Sequence, residues 1–122
     1  MKSERLCLWL EQMIEAAALA CSYVEGMDFA TFENDRRTQQ AVVLNLLLLG
    51  EIAAKFMEKE GAFVAAHPEI PWTAMKGMRN RIAHGYFELD LQVVWDTVMM
   101  AVPELATQLP NLLSTNQAPD AG

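Results

Sequence analysis

Cysteine and histidine are scarce, with two of each among 122 residues. Cys7 and Cys21 lie fourteen positions apart in one predicted helix, about 21 Å along its axis and too far for a bridge within it. That leaves no disulfide framework, and both read as buried thiols in a reducing compartment. His67 precedes a proline and has no Cys or His at metal-ligand spacing, so it is expected as an exposed loop residue, and no metal site is expected. A glycine-rich phosphate loop and a Gly-x-Ser-x-Gly elbow are both missing, and neither cysteine has a histidine nearby in sequence. No cofactor is implied.

Cations are also few. Nine Lys and Arg face sixteen Asp and Glu, for a formal charge of −7, which excludes a protein that coats nucleic acid with its whole surface. The positive charge is local: Lys76, Arg79 and Arg81 fall within residues 76–81 with no acid among them, leaving −10 for the rest of the chain. The longest apolar run, Ala41 to Gly50, is broken by Asn45 and followed by Glu51 and Lys55, short of the roughly 20 residues that span a membrane. It is expected to be a buried helix segment. The opening MKSERLC, with Glu11 and Glu15 behind it, does not read as a signal peptide, so a cytoplasmic protein without a membrane partner is expected. Internal repeats and long linkers are lacking before residue 114, while 52% of the residues are hydrophobic and 20% charged. One helical domain over residues 1–113 is expected, with residues 114–122 as a flexible tail.

What is present is mostly helical periodicity. Leu6, Leu10, Met13, Ile14, Ala17, Cys21 and Val24 recur at three- and four-residue spacing, which predicts a first helix from Ser3, a candidate cap, to about Gly26, placed to end it left-handed. Asp28 to Asn34, with Phe29 and Phe32 among acids, fits a short helical turn or ordered loop. Asp35 then precedes a long helix from Arg36 to about Lys59, whose stripe of Val42, Val43, Leu46, Leu49, Ile52, Ala53 and Phe56 is wide enough to be buried on two sides. His67-Pro68 and Ile70-Pro71 predict a connection over Gly61 to Pro71, with a short turn near Phe63. A third long helix runs from Trp72 to about His84 and ends at Gly85. Asp90 resembles an N-cap, and Leu91, Val94, Trp95, Val98, Met99 and Val102 continue a stripe to Pro103, which should kink or restart the helix. The expected fold is all-α: an antiparallel four-helix bundle with a short additional helix or ordered loop.

The third helix carries the chemistry, in the run Met78-Arg79-Asn80-Arg81-Ile82-Ala83-His84-Gly85-Tyr86. Arginine presents a planar fork of donors to a phosphate, and imidazole exchanges a proton near neutral pH. Together they suit metal-independent RNA cleavage: Arg79 stabilises charge on phosphorus while His84 handles a proton as the neighbouring 2′-hydroxyl attacks. Lys76 and Arg81 are the expected substrate-phosphate contacts. Five positions apart, Arg79 and His84 are separated by about 140° on an ideal helix. Both reach one site only if the helix tightens or ends near His84, or if the site lies between two chains. The structural alternative is that His84 caps the helix and Arg79 pairs with an acid. Glu51 and Lys55, four apart, read as a surface pair, with Glu51 also a candidate to orient His84.

The run Pro71-Trp72, Met75, Gly77-Met78-Arg79-Asn80 and His84-Gly85-Tyr86 has Gly50-Glu51 upstream and Asp90, Trp95 and Pro103-Glu104-Leu105 downstream. In this pattern the chain resembles the HepT-like proteins of the HEPN superfamily, from Met27-Asp28 through Leu113. The resemblance implies a helical bundle that dimerises so that two motifs line one cleft. It further implies an endoribonuclease acting as the toxin of a type VII-like toxin–antitoxin pair. Carried over by position, Arg79 and His84 are the catalytic pair, Asn80 supports them, and Tyr86 receives AMP from an MntA-like nucleotidyltransferase antitoxin. A second function stands beside this one: a non-catalytic helical partner that binds a nucleotide or presents substrate to a nucleotidyltransferase.

Overall fold

A computed structural model describes the backbone of residues 2–117 and the side chains of residues 4–117. Among the described residues the protein is all-α, without strands. Helix α1 spans Lys2–Tyr23, α2 Phe29–Glu33, α3 Arg36–Lys59, α4 Gly61–Ala66 and α5 Trp72–Gly85. A 3-10 turn at Tyr86–Glu88 follows, then α6 at Leu91–Asp96, a π-helical stretch at Thr97–Ala101 and α7 at Val102–Asn116.

Local chemistry sets most of these boundaries. Gly26 adopts a φ of 75°, the left-handed turn expected after α1 and the sole positive φ among the described residues. The expected cap at Ser3 concerns a side chain outside the described residues. Asp28 and Asp35 each accept a hydrogen bond from a backbone N–H three residues on, Thr31 at 2.8 Å and Thr38 at 3.0 Å. Asp90 accepts from the Gln92 backbone N–H, two residues on, at 2.9 Å. Each carboxylate satisfies a donor that the first helical turn leaves open.

Helix α3 is the centre of the fold, packing on α1 along one side and α5 along the other, while α7 closes on α1. All seven stripe residues expected in α3 are buried. It is also the one described helix long and apolar enough to cross a membrane, and half of that window is buried inside the protein, as a core helix requires. At one end Phe56 meets Trp9, Phe63 and Trp72 at ring distances of 5.2, 5.4 and 5.0 Å. Trp72 Nε1 donates to the His67 carbonyl at 2.9 Å, which pins the start of α5. Near the other end Trp95 packs on Phe29 and Phe32, holding α6 against α2.

Several expectations need correction. The Gly61–Pro71 connection contains a full short helix, α4, built around Phe63. His67 is half-buried rather than exposed: its ring packs 4.5 Å from Phe63, and Nδ1 lies 3.1 Å from Glu69 Oε2. The cysteines are half-buried free thiols; burial, aided by Glu25, pushes the Cys21 thiol above its ordinary value. Pro103 does more than restart a helix. It has no N–H for the Met99 carbonyl, and the turn before it widens so that Val102 N–H donates to the Thr97 carbonyl, a π-helical bond. That extra residue turns Met99, expected in the stripe, outward to 43% exposure. Helix α7 covers Ser114 to Asn116 of the stretch expected as a tail, and the Asn116 carbonyl accepts from Cys7 Sγ at 3.6 Å. Residues 118–122 of that stretch lie outside the described residues.

Candidate functional site

Helix α5 can approach α3 closely because Gly50 has no side chain. A Cβ at Gly50 would fall 2.5 Å from the Met75 carbonyl oxygen and closer still to Arg79 Cβ. One residue further along α3, Glu51 Oε1 accepts a hydrogen bond from Arg79 Nη1 at 2.6 Å. The Gly50-Glu51 step therefore does two things: it admits the backbone of α5 and receives the guanidinium that arrives with it. Glu51 pairs neither with Lys55 nor with His84 as expected. Lys55 Nζ instead lies 6.0 Å from the Trp9 ring.

The Arg79 side chain is 23% exposed and Glu51 46%. Arg79 Nε is buried and, among the described residues, has no hydrogen-bond partner. A buried orphan N–H costs about 1–3 kcal/mol. Glu51 thus holds Nη1 of the fork, while Nε is left without a partner.

His84 points elsewhere. Helix α5 keeps its α-helical turn through His84; its last residue, Gly85, leaves that turn at φ −158° and ψ 50°, and the 3-10 turn comes only afterwards. Arg79 and His84 thus retain their wide angular separation. His84 is exposed and lines a cavity of about 420 Å³ with Arg81, Glu88 and Asp90 on the α6 side. Arg79 lines no part of that cavity. Within one chain the structure brings Arg79 to Glu51 and His84 to Arg81, and does not bring Arg79 and His84 together.

The remaining expected site residues are spread along the same helix and its exit. Asn80 is exposed and its side chain makes no hydrogen bond among the described residues. Lys76 is half-buried, while Arg81 is exposed. Tyr86 sits in the 3-10 turn, packed edge-on against Phe87 at 5.4 Å, with its phenol accessible and outside the His84 cavity. Among the described residues no three His, Cys, Asp or Glu side chains gather as a metal site.

An all-helical protein with an Arg-x4-His helix docked through a Gly-Glu step is the class that this fold and site define. The family model for HepT-like ribonucleases matches residues 13–112, and the chain belongs to that family. Among curated proteins it is 36% identical over 104 residues to a candidate ribonuclease HepT of Thermococcus cleftensis, covering 85% of this chain and 92% of that one. It is 31% identical over 105 residues to a candidate RNase of Caldanaerobacter subterraneus subsp. tengcongensis, covering 86% and 91%. A candidate RNase of Methanocaldococcus jannaschii is 26% identical over 112 residues, covering 92% and 90%. No solved structure matches.

Proposed function

We propose that this chain is a metal-independent endoribonuclease toxin of a type VII-like toxin–antitoxin pair, working in the cytoplasm as a homodimer of antiparallel four-helix bundles. The observation that carries the dimer is the divergence of Arg79 and His84 on α5. One chain offers a phosphate an arginine on the α3 side and an imidazole on the α6 side, so a complete site pairs Arg79 of one chain with His84 of its partner. Leu44 and Leu48 support a second copy there. They stand 52% and 42% exposed on α3, at helical spacing before Glu51, an apolar stripe leading to the Arg79–Glu51 pair.

In this site the guanidinium of Arg79, held by Glu51, uses its remaining donors on the phosphate oxygens as charge builds on them. His84 takes the proton of the 2′-hydroxyl while that oxygen attacks phosphorus. The bond to the 5′ oxygen breaks, leaving a 2′,3′-cyclic phosphate, and the imidazolium returns its proton to the departing oxygen. Asn80, next to the arginine, supports the pair, and Lys76 and Arg81 contact flanking phosphates. Tyr86 is the acceptor of AMP from an MntA-like nucleotidyltransferase antitoxin. Its accessible phenol follows His84 by two residues, and an attached phosphate there competes with RNA for the same cations.

The test is cleavage of RNA by the purified protein in EDTA, with loss of cleavage in His84→Ala at unchanged helicity. Cleavage that survives His84→Ala would remove the histidine from the mechanism. A folded wild-type protein that binds nucleotide but cuts no RNA would instead favour the non-catalytic partner.

A further inference from the structure

A second cavity lies beside the His84 cavity and shares part of its wall. Its volume is about 380 Å³, and its walls are chiefly Leu46 and Leu49 of α3, Met75 and Met78 of α5, and Val102 and Leu105 of α7. Met78, Arg81 and Val93 line both cavities. Arg81 therefore stands at the border between an apolar recess and the His84 cavity.

Protein interiors are close-packed, and a space of this size beside the core calls for a cause. Two local features keep it open. Gly77 faces it without a side chain, and a Cβ there would have nothing within 4 Å. The π-helical stretch contributes Thr97 and Ala101, both small, to the opposite wall. Such π segments recur at functional sites. The Thr97 hydroxyl already donates to the Val93 carbonyl at 2.7 Å, so the walls offer few hydrogen-bond donors.

Charge decides what fits. Arg81, at the junction, is exposed and makes no hydrogen bond or ion pair among the described residues. A ligand with a flat, weakly polar body and one anionic group next to it matches an apolar recess with an unpaired guanidinium at its mouth. The recess is within the range of about 300–1,000 Å³ usual for small-molecule sites.

We propose that this recess binds the base of an RNA nucleotide, with the adjoining phosphate on Arg81, and so holds the strand in register with His84. The identity of the ligand as RNA rests on the ribonuclease reading above. Because the walls are apolar, selection works by burial and shape rather than by base-edge hydrogen bonds. The larger purine ring buries more surface, so purines are preferred over pyrimidines.

Gly77→Leu tests this directly, since it projects a side chain into open space in the recess and replaces glycine inside a helix. Gly61→Leu is the control, because a Cβ at Gly61 on α4 also meets nothing within 4 Å but lies outside the recess. Calorimetric titrations use 5′-AMP, 5′-CMP and ribose 5-phosphate. RNA cleavage is followed with substrates carrying a purine, a pyrimidine or an abasic nucleotide beside the cut. Wild type and Gly61→Leu are expected to bind 5′-AMP about tenfold or more tighter than ribose 5-phosphate, with 5′-CMP between them. Gly77→Leu is expected to lose that difference and to raise KM for purine-containing RNA about tenfold with a smaller change in kcat. Equal binding of 5′-AMP and ribose 5-phosphate to wild type would overturn the proposal, as would 5′-AMP binding that Gly77→Leu leaves intact. Loss of 5′-AMP binding in Gly77→Leu with unchanged cleavage kinetics would also overturn it, by making the recess a site for free nucleotide. Absence of all RNA cleavage with Gly77-sensitive 5′-AMP binding would refute the ribonuclease reading and retain a base-binding recess.

Discussion

The Glu51 carboxylate holds Arg79 Nη1 at 2.6 Å across the α3–α5 contact, and Arg79 is the arginine proposed above to stabilise charge on the phosphate. With both side chains partly exposed, such a pair contributes about 0–1 kcal/mol to stability, so its value is orientation. Glu51→Gln should leave the urea unfolding midpoint nearly unchanged and lower kcat for RNA cleavage about tenfold, a loss typical of a misaligned transition-state contact. Cleavage at the wild-type rate would mean that Arg79 needs no such support.

Gly50→Ala should act through packing. Its methyl group would meet Met75 O and Arg79 Cβ, which are backbone and near-backbone atoms that cannot swing aside. Helix α5 must move off α3, at a cost of about 1–3 kcal/mol, with Arg79 carried away from Glu51. Equilibrium unfolding in urea measures this, and an unaltered midpoint would show that the helices do not meet so closely.

The Asp35 cap gives a pH signature. The Thr38 backbone N–H, then its hydroxyl, hold the Asp35 carboxyl below the ordinary aspartate value. A depressed native value means that the cap's stabilisation is present above the ordinary aspartate range, about pH 4, and is lost as pH falls through the native value. Asp35→Ala should therefore be less stable than wild type at pH 7, with the gap closing toward pH 2. Thermal unfolding across that range checks it; a gap that widened in acid would reverse the sign.

Tyr86→Phe removes one hydroxyl from an accessible side chain, so fold and cleavage should persist while adenylylation ceases. Cells producing it together with the transferase should remain poisoned, and intact mass should show no AMP on the variant. Rescue of growth without a mass change at residue 86 would mean that the partner neutralises by binding alone.

The fold was legible because its signals are local and redundant. Asp35 and Asp90 announce helix starts by side-chain chemistry alone, and the α3 stripe shows its burial in its spacing. What escaped depends on distance through space or on a chain-wide register. The partnership of Glu51 with Arg79 spans 28 positions, and the visible signal was only a Gly-Glu step interrupting an apolar run. The π-helical widening before Pro103 moves Met99 outward through a backbone effect that side-chain periodicity cannot carry. The recess beside Arg81 exists because Gly77, Thr97 and Ala101 come together from two helical segments, and none of them is distinctive in sequence.

In the proposed dimer each active site joins Arg79 of one chain to His84 of another. Arg79→Ala and His84→Ala, each inactive alone, are mixed after denaturation and refolding, and heterodimers are verified by native mass spectrometry. A heterodimer contains one site with both wild-type residues and one with neither, so a random equal mixture should recover about one quarter of wild-type cleavage. Verified heterodimers that cut no RNA, or a monomer by sedimentation that cuts at the wild-type rate, would contradict the composite site.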